Sequence, residues 1–207
     1  MSKVILLNGC SSAGKTTLAI ALQNQLQEPF QHIALDQFRD GMPSRVRGLN
    51  SPPGDPGASG LNVVPAVLDG QPVTHIQFGE YGERVLSGMR RAVAHFSDLG
   101  CNVIVDDLLF KRDYLEDYIA VLNPDTTWFV GVKCRLSVVL ERERKRPGRF
   151  PGTATSHFEQ VHEHGIPYDL EVDTSSAGVE AVAEQVISRL AHPPLAFRAS
   201  RPHISDP

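Results

Sequence analysis

Gly9-Cys10-Ser11-Ser12-Ala13-Gly14-Lys15-Thr16 sets two glycines, a lysine and a hydroxyl at the spacing G-x-x-x-x-G-K-[ST]. That combination suits a polyphosphate. The glycines let successive backbone N–H groups converge on one anion, and a following helix adds the positive end of its dipole. Lys15 would reach the β- and γ-phosphates, and the Thr16 hydroxyl would ligate Mg²⁺. Gly9 through Thr16, with Thr17 behind them, are the candidate nucleotide-binding residues. A glycine turn that merely opens a helix is the bland alternative. The flanks speak against it: Val4-Ile5-Leu6-Leu7 reads as a buried strand before the loop, and helix-period residues run from Thr17 to about Leu26 after it.

Carboxylates supply the next candidates. Asn102-Val103-Ile104-Val105 is an apolar run closing in Asp106-Asp107, the pattern in which a carboxylate holds Mg²⁺ directly or through water. Asp106 ends the run and is the expected metal-side residue; Asp107 would face an acceptor or cap the turn. Asp36 follows His32-Ile33-Ala34-Leu35. It either caps a turn or takes the proton of an acceptor hydroxyl, which is most of what phosphoryl transfer asks of a side chain beyond alignment. Arg142, Arg146 and Arg149 lie in Arg142-Glu143-Arg144-Lys145-Arg146-Pro147-Gly148-Arg149. They suit a lid that neutralises phosphate charge and excludes water, or simply a solvated basic helix end. Gln37, Phe38, Arg39, Arg45 and Arg47 border a proline-rich stretch and could meet an acceptor, or face solvent. His162-Glu163-His164 lacks a remaining ligand set for zinc.

The elements that must hold these residues alternate. Strands are expected at 4–7, 32–36, 102–105, 127–132 and 168–173, with helices between them, from Phe78 to Leu99 and from Gly178 to Leu190 among others. This order gives a three-layer α/β fold, a central parallel sheet flanked by helices, with ligands outside the carboxyl ends of the strands. From Asp40 to Pro72 prolines and glycines crowd together and little regular structure is expected, apart from a hairpin turn at Asp69-Gly70.

The chain has 207 residues, enough for one full core, and a net charge of −4, which argues against a broad nucleic-acid-binding face. Cys10, Cys101 and Cys134 make no zinc or disulfide pattern and fit a reducing compartment; Cys10, inside the loop, is either oxidation-sensitive or a tolerated variable position. With no membrane-length apolar run and no room for a leader before the first strand, a cytoplasmic protein without membrane partners is expected. Homo-oligomerisation is left open.

These residues resemble the chloramphenicol phosphotransferase family of small P-loop kinases. The likeness spans most of the chain: Asn8 through Thr16, Leu35-Asp36, Val105-Asp106-Asp107, Val130 to Cys134, Arg142 to Arg149, and His162 through Thr174. It implies a P-loop NTPase fold and an ATP-dependent kinase that phosphorylates a hydroxyl of a small molecule, of the chloramphenicol type or another. It implies Asp36 as base and the arginine segment as lid. The implied layout is one kinase domain over 1–191, with an acceptor-binding insertion at 37–77, an arginine lid at 142–152 and a proline-containing tail at 192–207. The insertion is longer than the chloramphenicol-modifying enzyme's. The rival readings are a nucleotide-dependent regulatory switch, for which Asn-Lys-x-Asp and Asp-x-x-Gly are missing, and another small-metabolite P-loop kinase.

Overall fold

Five strands make the central sheet: β1 (Val4–Asn8), β2 (Phe30–Ala34), and three that come later in the chain. Between β1 and β2 runs α1 (Lys15–Gln25), and α2 (Leu35–Asp40) follows β2 directly. Next come β3 (Arg47–Leu49), α3 (Pro56–Ser59), β4 (Leu61–Leu68), β5 (Gln71–Phe78) and the long α4 (Glu80–Asp98). The chain then returns to the main sheet with β6 (Asn102–Asp107), α5 (Arg112–Val121), β7 (Thr127–Lys133), α6 (Leu136–Arg144), β8 (Leu170–Asp173), α7 (Val179–Leu190) and α8 (Ala196–Ser200). The structure, a computed structural model, describes residues 1–146 and 150–200.

The main sheet has the order β2-β6-β1-β7-β8, and every pairing is parallel. Val4 to Leu7, Val103 to Val105 and Phe129 to Val130 are buried, because both faces of such a sheet are covered and its strands become continuous apolar runs. Asp106 and Asp107, adjacent at the end of β6, show the two faces. Asp106 meets Thr16 of α1, whereas Asp107 meets Tyr118 of α5, as the two-residue period of a strand requires. The expected three-layer α/β architecture is present.

Two expectations change. β2 stops at Ala34, and Leu35 and Asp36 form the first turn of α2, where Gln37 Oε1 accepts from Ala34 N at 3.0 Å. The stretch from Asp40 to Pro72 is not irregular: it holds most of a second, three-stranded sheet in the order β3-β4-β5. Its prolines disguise it. Pro65 lies in β4, but β3 pairs only with Leu61 to Val63, so the missing N–H falls where no β3 residue needs it. Asp69 and Gly70 close the β4–β5 hairpin with φ of 49° and 74°, the positive values a tight two-residue turn demands.

The segment from His192 also departs from an exposed tail. Phe197 is buried with its ring 5.9 Å from that of Phe129. The Asp169 carboxylate holds the return, accepting from Leu195 N at 2.6 Å and Arg189 Nη2 at 3.1 Å. Residues 201–207 lie outside the described residues. Among the described residues no helix is long and apolar enough to cross a membrane.

Candidate active site

Backbone constraints shape the loop after β1. A Cβ at Gly9 would lie 2.4 Å from Val132 O on the neighbouring strand, so only glycine lets β1 and β7 approach here. Gly14 has φ 96° and Ser12 φ 63°, both left-handed. These turns aim the loop at the start of α1, whose first turn carries no acidic residue and no side-chain cap. Its unpaired N–H groups and dipole therefore favour an anion.

The cations and oxygens gather at that point. Lys15 is buried, donates from Nζ to Gly9 O (2.9 Å) and Cys10 O (3.1 Å), and stands 3.6 Å from Asp106 Oδ1. Thr16 Oγ1 donates to Asp106 Oδ2 at 2.5 Å. A hydroxyl beside a carboxylate is an all-oxygen donor set, which fits a hard cation such as Mg²⁺. His32 Nε2 lies 3.9 Å from Asp106 Oδ2; burial holds this imidazole below its ordinary pKa against the pull of that carboxylate.

Asp107 does different work. Its carboxylate accepts from Leu108 N (2.7 Å) and Tyr118 OH (2.8 Å), and burial raises its pKa. It caps the turn after β6, although part of it reaches the cavity wall. Of the two carboxylates, Asp106 is the one turned to the phosphate loop.

Asp36 and Arg39, one turn apart on α2, form an ion pair of 2.7 Å, and Arg39 Nε also bonds Asp40 at 2.9 Å. Both line a cavity of about 490 Å³. Lys15, Thr16, Thr17 and Asp106 border the same cavity, as do Ser11, Ser12 and Gly14. Gly9, Cys10 and Ala13 stand behind it: Gly9 and Cys10 turn carbonyls to Lys15, and Ala13 O accepts from Thr174 Oγ1 at 2.5 Å. Burial pushes the Cys10 thiol up to about 11, so it is a small apolar filler with little thiolate.

Among the remaining expected residues the cavity makes a selection. Arg142 and Arg146 line it, and Arg149 lies outside the described residues. Arg142 is braced: its guanidinium donates to Thr174 O (2.6 Å), Thr174 Oγ1 (3.2 Å) and Ala13 O (3.3 Å). Gln37 is occupied in the first turn of α2, and Phe38 packs on the core. Arg45 is exposed, and Arg47 reaches back to Asp40 O at 3.5 Å; neither borders the cavity.

Several wall residues had no signal of their own in the sequence. Leu35, Ile76, Phe78 and Leu108 form an apolar side next to Asp36, and Ala177, Val179 and Val182 form another beyond Gly14. Thr174 had one: it closes a strand at the sheet's carboxyl edge. His162 and His164 are spent on packing. His162 Nδ1 meets Tyr168 OH at 2.7 Å, Asn8 Nδ2 donates to the same hydroxyl at 2.8 Å, and both rings of the histidine pair abut Tyr168.

With this geometry in place, comparison with known proteins is specific. A family model described as chloramphenicol phosphotransferase-like protein matches residues 2–191. A provisionally named O-phosphotransferase of Mycobacterium tuberculosis, found in two strains, is 33% identical over 192 residues, covering 89% of this chain and 80% of its own. Among solved structures, a sugar kinase of a Janibacter species superposes with a TM-score of 0.63 at 17% identity, over 92% of this chain and 95% of the other. The Mycobacterium tuberculosis APS kinase, solved with AMPPNP and APS, superposes with a TM-score of 0.55 at 15% identity, over 92% and 98%. At such identities the solved structures speak for the fold, which is that of small-molecule P-loop kinases.

Proposed function

Because the chain belongs to the chloramphenicol phosphotransferase-like family of O-phosphotransferases, we propose that it moves the γ-phosphoryl of ATP to a hydroxyl of a small molecule with Asp36 as the base. One observation carries this reading. Lys15, Thr16, Asp106 and Asp36 all border one cavity, so that in this reading a phosphoryl donor and a proton acceptor would share a cleft. The proposed division is a kinase body over 1–191, to whose acceptor side the 37–77 segment contributes Arg39 and Ile76.

The roles follow from charge. The loop N–H groups and Lys15 bind the β- and γ-phosphate oxygens, and Arg146 offsets the charge that builds on the transferring group. Arg142, tied to Ala13 and Thr174, holds the loop in shape. Thr16 and Asp106 are the oxygen donors that would hold Mg²⁺, which supplies further charge neutralisation at the phosphates. Asp36 accepts the acceptor's hydroxyl proton as its oxygen bonds the γ-phosphorus; the bond to the β–γ bridging oxygen breaks, and ADP leaves. Arg39 keeps the Asp36 carboxylate pointed into the cleft through the 2.7 Å pair.

Leu35, Ile76, Phe78 and Leu108 give the acceptor side an apolar surface, which suits a hydroxylated compound with an apolar face. Antibiotics of the chloramphenicol type meet that description and belong in the first acceptor panel. The test is ADP release from ATP with and without a panel of hydroxylated compounds. Release should rise with an acceptor, and Asp36→Asn should remove the rise by about 10²–10⁴-fold while leaving ATP affinity unchanged. Turnover that no acceptor alters, and that a protein partner stimulates, would replace the kinase reading with a regulatory switch.

A further inference from the structure

Residues 150–157 touch three parts of the cleft at once. Glu143, buried in the last turn of α6 next to Arg142, accepts from Gly152 N at 3.0 Å and from Ala154 N at 2.8 Å. On the acceptor side, Thr74 Oγ1 of β5 donates to Pro151 O at 2.9 Å, and Thr74 N reaches Gly152 O at 3.4 Å. On the donor side, Ser11 N of the phosphate loop donates to His157 Nε2 at 3.2 Å. The strap thus bonds the arginine helix, the β4–β5 hairpin and the phosphate loop.

Its course is tightly specified. Gly152 has φ 72°, and a Cβ there would stand 2.9 Å from Val73 Cα, so the strap crosses β5 where a side chain would be both strained and obstructed. β5 pairs with β4 along one edge, and the strap covers the other. Thr74, Ile76 and Phe78 alternate on one face of β5, so the residue that holds the strap shares a face with two residues of the apolar cavity wall. A buried carboxylate taking two backbone N–H groups is a firm anchor for such a crossing, because neither oxygen can be replaced by water without moving the chain.

We propose that Glu143 is a positioning residue for phosphoryl transfer: through the 150–157 strap it couples the phosphate loop to the acceptor wall on β5. Nucleotide that steadies the loop then steadies Ile76 and Phe78 before an acceptor arrives. This inference rests on the donor-site reading given above, and its test separates the two.

Hydrogen exchange of the whole chain, read by mass spectrometry with and without a non-hydrolysable ATP analogue and Mg²⁺, follows the loop (residues 9–17) and β5 (residues 71–78) separately. In the unaltered protein the analogue should slow exchange in both, by about tenfold in β5. Glu143→Gln keeps the shape but loses one of its two acceptor oxygens, and Thr74→Val keeps the packing but loses the bond to Pro151. In each, the analogue should still slow the loop and should slow β5 by less than about twofold. A variant that merely loosened the fold would raise β5 exchange with and without the analogue and leave the ratio unchanged. That result in both variants, or a protected loop beside an unaffected β5 in the unaltered protein, overturns the coupling. No protection at the loop overturns the donor reading itself.

Discussion

On the proposed donor wall of the cleft the side chains are committed to bonds with one another or with the loop, whereas the proposed acceptor wall is mostly apolar surface with one ion pair. Lys15 and Thr16 both engage Asp106 at the end of β6, and Arg142 and Thr174 bond each other and the Ala13 carbonyl of the loop. Leu35, Ile76, Phe78 and Leu108 in the same cavity present shape, with the Asp36–Arg39 ion pair beside Leu35 on α2. Under the proposed function the difference follows from the ligands. A triphosphate has the same charge and geometry in every kinase, so the residues that meet it are fixed in type and spacing. An acceptor is recognised by contour, for which many apolar side chains serve equally.

If that contrast holds, substitutions on the two walls should fail differently. The largest effect belongs to the donor wall. Lys15→Met should lower acceptor-dependent turnover by about 10³-fold, because the amine neutralises charge that grows in the transition state. The loss should appear in kcat with a cooperative fold retained, as circular dichroism and steady-state kinetics can check. Next comes Phe78→Ala. Its ring stacks on Phe110 at 6.1 Å and borders the cavity, so its removal should raise the acceptor KM by about 10- to 100-fold. ATP affinity by titration calorimetry should change by less than about twofold; a comparable loss of ATP affinity would erase the distinction between the walls.

A third effect is on stability rather than turnover and concerns what packs behind the proposed donor wall. Burial, followed by the positive charge of Lys133, lowers both His162 and His164 to about 4 from an ordinary 6.5. The folded protein therefore binds fewer protons than the unfolded chain between those values. Stability should be full above about pH 6.5 and fall as pH drops toward 4, by on the order of 1 kcal/mol per histidine per pH unit. Urea unfolding at pH 7, 5.5 and 4.5 would show it, and replacing His164 by Gln should flatten the slope.

The same contrast explains what could be read from the residues alone. The loop, the apolar run closing in an Asp pair and the alternation of strands with helices were legible because each is a local pattern with one physical meaning: a left-handed glycine before a lysine, a buried strand ending in carboxylates, apolar runs separated by helices. The choice between Asp106 and Asp107 was not legible, since it depends on which face of β6 meets α1. The second sheet was hidden by Pro65, which is harmless only because β3 ends before it. The return of the C-terminal segment was hidden as well, because Phe197 finds its partner in Phe129, far away along the chain. Gln37, Phe38, Arg45 and Arg47 were near the acceptor side in sequence, but their side chains are taken up by helix capping, core packing or solvent.

The most direct test of the central claim is mass spectrometry of hydroxylated compounds after incubation with the protein, ATP and Mg²⁺. The account predicts that one class of compound with an apolar face gains a single phosphoryl group on oxygen, one for each ADP formed, and that Asp36→Asn abolishes the gain while still binding ATP. ATP consumed with no compound modified, at a rate Asp36→Asn leaves unchanged, would contradict it.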